Sequence, residues 1–269
     1  MASRALLPIL VLLVAGLAAC TQPPAAPPAP VGAPGHLSLT GCSGWHASIG
    51  PLPPALVPGA APAGWEPPPE NLPHVRLDGF ECERLGLGPF ERGPVHLVVD
   101  SHTRATFPAA CYPSDFAVTG LVGTLWVDDD GLARYLAETY GLPARRASVL
   151  PESDGTGSAQ AHAWTWTDAE GRSTATVPSG VPSQVANRPS LLLWPAGDGI
   201  GSLSLTFQDR TVPVGPELAV SGTAQPPALL SALPGGAFAG QGYWSDGFSA
   251  EGTFKAYRDT MCTQPEGEA

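Results

Sequence analysis

Lys255 is the one lysine in a chain that carries twelve arginines. Reactions that need a lysine pair are therefore excluded, since arginine stays protonated above about pH 12 and cannot supply a neutral attacking amine. Asp100, Ser101 and His102 have the residue types of a nucleophilic triad. Direct neighbours on a strand point to opposite faces, however, and triad members must converge. His46, His74, His96 and His162 are scattered and each reads as a surface or hydrogen-bonded histidine. His96 alternates with apolar Val95 and Leu97, which gives it a claim to face a barrel interior. The chain has no G-x-S-x-G elbow, P-loop, strand-borne G-x-G-x-x-G or H-E-x-x-H. The run Asp128 to Asp130 before Gly131 lacks the spaced ligands of a calcium loop and reads as a helix cap. No catalytic residue, cofactor or metal site is assigned from motifs.

The cysteines and the N-terminus point to export. Residues 2 to 19 carry one charge, at Arg4, then an apolar run and small residues ending before Cys20, the pattern of a secretory signal. Leu17-Ala18-Ala19-Cys20 resembles the lipobox of bacterial lipoproteins, which implies lipid attachment at Cys20 and a cell-envelope location facing outward from the plasma membrane or on an outer membrane. Two or three acyl chains hold a protein firmly where one does not. Residues 21 to 35 have Pro in six of fifteen positions and no charge, a tether spanning about 45 Å if extended as polyproline II. The remaining cysteines, Cys42, Cys82, Cys111 and Cys262, are even in number and allow three pairings. Cys42 with Cys82 and Cys111 with Cys262 is favoured, joining two early segments and tying the C-terminus to the body.

Composition narrows the rest. The 269 residues include 32 Gly and 32 Pro, too many helix breakers for a bundle or coiled coil. A net charge of -11 repels nucleic-acid backbones, so no nucleic-acid partner is expected. One folded domain is expected over 36–262, followed by a short tail, 263–269. Its strand candidates are Val75 to Arg84, Val95 to Thr103, Gly120 to Asp128, Ala147 to Pro151, Ser190 to Pro195, Gly201 to Asp209, Glu217 to Thr223, Ala237 to Trp244 and Gly252 to Arg258. The alternating stretches Ala161 to Thr167 and Arg172 to Pro178 flank the turn Asp168 to Gly171 as a hairpin, with Trp164 and Trp166 on one face. The main helix runs from Gly131 to Tyr140, capped by the aspartates and stopped by Gly141 and Pro143. A shorter helix or turn is expected near Pro53 to Val57.

Val127 to Pro151, VDDDGLARYLAETYGLPARRASVLP, resembles the acetoacetate decarboxylase family, in which an acidic turn, a helix with a glutamate and a Pro-Lys-Lys segment follow one another. Here Glu138 falls at the glutamate and Pro143-Ala144-Arg145-Arg146 replaces Pro-Lys-Lys. Weaker matches are Leu52 to Gly59, Ile200 to Phe207 and Gly252 to Tyr257. The resemblance implies a β-rich α+β fold: a closed, cone-like antiparallel barrel around a largely apolar cavity. It also implies a Schiff-base lysine that this chain lacks, and the family's early arginine has no match, since residues around His46 and Ala47 occupy that stretch. On this basis Glu138, Arg145, Arg146 and His96 are candidate pocket residues; the arginines equally fit a surface pair beside a solvated glutamate.

The leading expectation is a membrane-anchored barrel holding a small apolar or keto-acid-like molecule without covalent chemistry. The rivals are a lysine-independent enzyme using residues such as Glu138 and His96, and an envelope protein whose barrel is packed solid. The sequence leaves the oligomeric state open. Replacing Cys20→Ala is expected to move the chain from the membrane fraction to the soluble one on cell fractionation; retention in the membrane would overturn the anchor.

Overall fold

The computed structural model describes residues 35–50, 74–102, 118–153, 161–178, 182–185, 189–196, 199–213, 218–223 and 236–257. Cys20, Cys111, Cys262, the tether and the expected turn near Pro53 lie outside these residues.

Seven strands close a barrel. They are β1 (Gly35–Ile49), β2 (Val75–Leu87), β4 (Val95–His102), β5 (Val118–Val127), β11 (Ser190–Ala196), β12 (Gly199–Gln208) and β15 (Ala237–Tyr257), and β15 returns to pair with β1. All neighbours are antiparallel except β5 and β11, which run parallel. Closure removes open sheet edges. A short β3 (Phe90–Arg92) extends β2, and β6 (Ala144–Arg146) lies along β5.

The length of β15 produces a second layer. Its C-terminal half pairs with β12, while Ala237 to Gly242 pairs with β14 (Leu218–Thr223). From β14 the sheet continues through β9 (Arg172–Pro178) and β8 (Ala161–Thr167) to β7 (Ser148–Ser153). A separate ribbon joins β10 (Pro182–Val185) to β13 (Thr211–Pro213). The β7–β8–β9–β14 wing covers the outer face of the barrel. Trp45, Ala47, Val75, Leu77, Val98 and Trp126 from the barrel pack there against Trp164, Trp166, Ala175, Val177 and Val220 from the wing.

Two expectations change at β1 and β15. β1 does not read as a strand because its inward series breaks phase: Leu37 and Leu39 face the barrel core, then a register shift around Gly41 puts Cys42 inward and leaves Trp45, Ala47 and Ile49 facing the wing. In β15 a left-handed Gly247 lies between two segments that read as separate strands, yet pairing with β1 continues on both sides. The expected helix is present as α1 (Asp130–Tyr140), with Asp129 capping Leu132 N–H and Gly141 ending it in the left-handed region. α1 covers one barrel end with Leu132, Ala133, Leu136 and Tyr140, and Trp194 Nε1 donates to Tyr140 O at 2.8 Å. Tyr140 stacks on Phe254, and burial together with the neighbouring Tyr135 pushes its phenol up to about 12. Cys42 and Cys82 sit directly opposite each other on β1 and β2 and form a disulfide, one of the two pairings expected.

Gly79 lets β2 pass beneath the Trp45 indole: a methyl there would come within 2.1 Å of Trp45 Nε1. Gly79→Ala is expected to cost about 1–3 kcal/mol through overpacking, read as a lower urea midpoint by far-UV circular dichroism.

Candidate functional site at the polar end of the barrel

Alternation sorts the barrel interior into two zones. Toward α1 the inward side chains are apolar and surround a cavity of about 50 Å³ lined by residues such as Leu39, Leu97, Leu136, Leu203 and Phe254. Phe80, Phe207 and Phe248 form a mutually packed aromatic layer, with ring centroids 5.9 to 6.2 Å apart. Past these rings the inward positions turn polar, at the end of the barrel opposite α1.

Strand register builds this polar end. His46 on β1 stands between Asp78 on β2 and Tyr243 on β15, and the His46 and Tyr243 rings lie 5.2 Å apart. Two residues earlier on β2, Arg76 opposes Ser48 and Ser101. Arg76 grips Asp78 with two groups, Nε to Oδ2 at 2.7 Å and Nη2 to Oδ1 at 3.0 Å, and Asp78 Oδ1 lies 3.0 Å from His46 Nδ1. Arg210, after β12, lays its guanidinium over the Phe207 ring at 4.3 Å and also faces Tyr243 and Phe248.

These are buried charges. Arg76, Asp78 and Arg210 are 8%, 2% and 5% exposed. Burial raises the Asp78 carboxyl, but Arg76, then His46 and Arg210, overcome it and hold the group well below the usual carboxylate range. Burial and then the Arg76 charge push His46 down, so the imidazole is neutral. Burial also lowers Arg210. Among the described residues two guanidiniums face one carboxylate, a surplus of positive charge. Arg76 Nη1, Arg210 Nε and Nη2, and Ser101 Oγ are buried without a hydrogen-bond partner among the described residues. Each unmade bond costs about 1–3 kcal/mol. Such a site suits an acceptor-rich anion.

The residues singled out in the sequence fall elsewhere. Glu138 is on the exposed face of α1, and Arg145 and Arg146 are both exposed on β6, where Arg145 pairs with Glu170. β6 lies along β5 without entering the barrel, so neither arginine reaches the interior. His96 points outward: Val95, Leu97 and Val99 take the inward face of β4, and His96 binds Asp128 at 2.6 Å beside Trp164. The Asp128 hydrogen bond raises its pKa despite partial burial. None of these four residues lines the apolar cavity. Lys255 is exposed on β15. Among the described residues no group of His, Cys, Asp or Glu is arranged to hold a metal ion.

No motif in the sequence points to Arg76, Asp78, Arg210 or Tyr243. Val75-Arg76-Leu77-Asp78 reads as a strand with an apolar inner face and a charged solvent face. Closure and the wing reverse that assignment: Val75 and Leu77 face the outer tryptophan layer, and the charges face in. The usable signal was Arg and Asp alternating within a strand on a chain whose charged residues make up only 14%.

Both perturbed groups tie stability to pH in the same direction. His46 is held neutral when folded while the unfolded chain takes up a proton, so stability falls as pH drops below about 6.5. The depressed Asp78 contributes fully above about 3.9, and that contribution is lost as pH falls further. His162, lowered by burial, adds to the upper fall, whereas His96 acts in the opposite sense. Urea midpoints from about pH 8 to about pH 3 are expected to decline in these two windows, with His46→Gln shrinking the upper one. Asp78→Asn leaves two buried guanidiniums uncompensated and is expected to cost about 3–5 kcal/mol at neutral pH.

No protein-family model matches the chain, and no curated protein does. Solved structures do match. A structure titled as structural studies of acetoacetate decarboxylase aligns with a TM-score of 0.54 at 13% identity, covering 88% of this chain and 94% of that one. Acetoacetate decarboxylase from Legionella pneumophila subsp. pneumophila str. Philadelphia 1 aligns with a TM-score of 0.52 at 14% identity, covering 87% and 93%. At such identities the likeness is one of fold: the chain has the closed barrel of acetoacetate decarboxylase-like proteins, with one helix among the described residues.

Proposed function

We propose that the chain is a lipid-anchored envelope protein whose barrel holds a small, keto-acid-like carboxylate at its polar end, without covalent chemistry. The observation that carries this reading is the pair of buried guanidiniums: Arg76, bound to Asp78, and Arg210, laid over the Phe207 ring, both with N–H groups that find no partner among the described residues. Guanidinium forks match carboxylate geometry and bind it by charge-assisted hydrogen bonds. Tyr243 and the Phe207 and Phe248 rings supply apolar contact for a short carbon chain.

Covalent capture of a ketone is disfavoured by the same side-chain inventory. Ala144 and Arg145 stand in the segment corresponding to Pro-Lys-Lys, and the one lysine, Lys255, is exposed. A solidly packed structural barrel also fits less well. Five of the seven tryptophans fill the layer outside the barrel, while charged groups occupy part of the interior. The anchor and the envelope location rest on the Cys20 segment.

Calorimetric titration of the full-length chain in detergent micelles is expected to give a binding constant for 2-oxo carboxylates at least about tenfold tighter than for the matching neutral methyl ketones, since a charged hydrogen bond contributes about 1.5–3 kcal/mol. Arg210→Gln is expected to remove that preference. Equal affinity for acid and ketone in the unmodified chain would overturn carboxylate recognition.

A further inference from the structure

The apolar part of the interior, under α1, has a chemistry of its own. Twelve of the seventeen residues around its cavity are leucines, and the others are Phe80, Val99, Val122, Trp194 and Phe254. The one side-chain polar atom among them, Trp194 Nε1, is already committed to Tyr140 O at 2.8 Å. No side chain of the wall can therefore hydrogen-bond an occupant. Buried water needs about two to four polar partners, so the cavity is dry. A charged or hydroxylated ligand would lose its hydration without replacement, whereas a hydrocarbon only removes its own apolar surface from water.

Size and access narrow the ligand further. A volume of about 50 Å³, against roughly 10–15 Å³ for one water-sized occupant, leaves room for about four carbon atoms, fewer than an aromatic ring has. The cavity is partly open to the surface. Leu125 on β5 is the one lining residue that is not buried, and Ala144, its register partner on β6, is half-buried as well. The interior meets solvent at this apolar seam, just beyond α1. An open seam lets a longer molecule insert its end and leave the remainder outside. β1 begins at the same end of the barrel: Gly35 packs so closely on the Tyr140 ring of α1 that a methyl there would clash with it. The Pro-rich segment before Gly35 thus joins the barrel at the cavity end.

We propose that the cavity under α1 takes the methyl end of an aliphatic lipid chain. The choice of a lipid chain over a free hydrocarbon rests on the lipid-anchor reading, since the cavity end is the one joined to the tether. The exclusion of polar ligands rests on the wall alone. Neither depends on the carboxylate site, which lies beyond the layer of Phe80, Phe207 and Phe248. Leu132 and Leu136 of α1, with Leu142 after it, form the roof over the chain end.

The test uses the full-length chain with isotope-labelled leucine and valine methyls, in micelles of a bile-salt detergent whose rigid ring body offers no chain to insert. Methyl NMR spectra separate cavity residues such as Val99, Leu136 and Leu205 from Val177 and Val220 in the wing layer. n-Butane is expected to shift the cavity methyls and leave the wing methyls in place, and butyrate to need at least about 100-fold higher concentration for the same shift. Transfer to dodecyl maltoside is expected to shift the same cavity methyls and abolish the response to butane, because the dodecyl end then fills the space. Val99→Phe, which fills the cavity with a ring, is expected to lose both responses while the wing methyls keep their positions. Should Val99→Phe lose that wing pattern, Val122→Leu takes its place and is expected to weaken butane binding at least about threefold. Cavity methyls that ignore butane, that answer butyrate equally, or that move together with the wing methyls overturn the proposal. Responses that survive undiminished in the filled variant overturn it too. A response to butane that dodecyl maltoside neither imitates nor blocks overturns the lipid chain as ligand, while the anchor itself stands or falls by the fractionation of Cys20→Ala.

Discussion

The structure depends on β15 being shared. One edge of this strand is occupied by β1 along its length, while the other is divided between β12 and β14. The first pairing closes the barrel; the second starts the wing. Because a strand presents alternate side chains to opposite faces, the shared strand must serve two cores at once, sending Phe248, Ala250 and Phe254 inward and Phe238 and Trp244 outward. The turn of backbone at Gly247 reconciles the two series. Without that handover β14 would lose its ladder to the barrel sheet, and the wing that covers Trp45, Ile49, Val75 and Leu77 on the outer faces of β1 and β2 would be held only near β5.

Covering the outside of a closed barrel changes what its inside can contain. An uncovered barrel in water takes its apolar residues inside and its polar ones outside. Once a second apolar layer lies on the outer face, alternation can be inverted locally without exposing hydrophobic surface, and β2 does this at Val75 to Asp78. The cost of enclosing Arg76, Asp78 and Arg210 is met in part by the bonds between Arg76 and Asp78 and by the aromatic rings beneath Arg210. The apolar zone under α1 and the charged zone at the far end are thus two parts of one interior, divided by Phe80, Phe207 and Phe248.

Much of the architecture was legible in the sequence. The helix, its caps, the tryptophan hairpin and most barrel strands follow from periodicity and turn chemistry, and the Cys42–Cys82 pairing follows from the proximity of early segments. The site was not legible, for reasons of geometry. Glu138, Arg145 and Arg146 stand out only by their place in a resembling segment, and helix and strand orientation turn all three to solvent. Alternation alone leaves the side of His96 open, and along β4 it is Val95, Leu97 and Val99 that take the inward phase. His46, Arg76 and Asp78 come together through pairing of β1 with β2, and Arg210 approaches from beyond β12; nothing local in the sequence announces those contacts. β1, which carries His46, was itself hidden by its phase shift.

The Cys42–Cys82 bond has a further meaning in this light. His46 and Asp78 lie four residues from the two cysteines along the same antiparallel register. A slip of one position between β1 and β2 would keep most ladder hydrogen bonds but turn Asp78 away from the imidazole and toward the tryptophan layer. The covalent link forbids that slip. The link therefore preserves the identity of the imidazole's neighbour, so a covalent bond outside the charged cluster secures its composition as well as the strength of the fold.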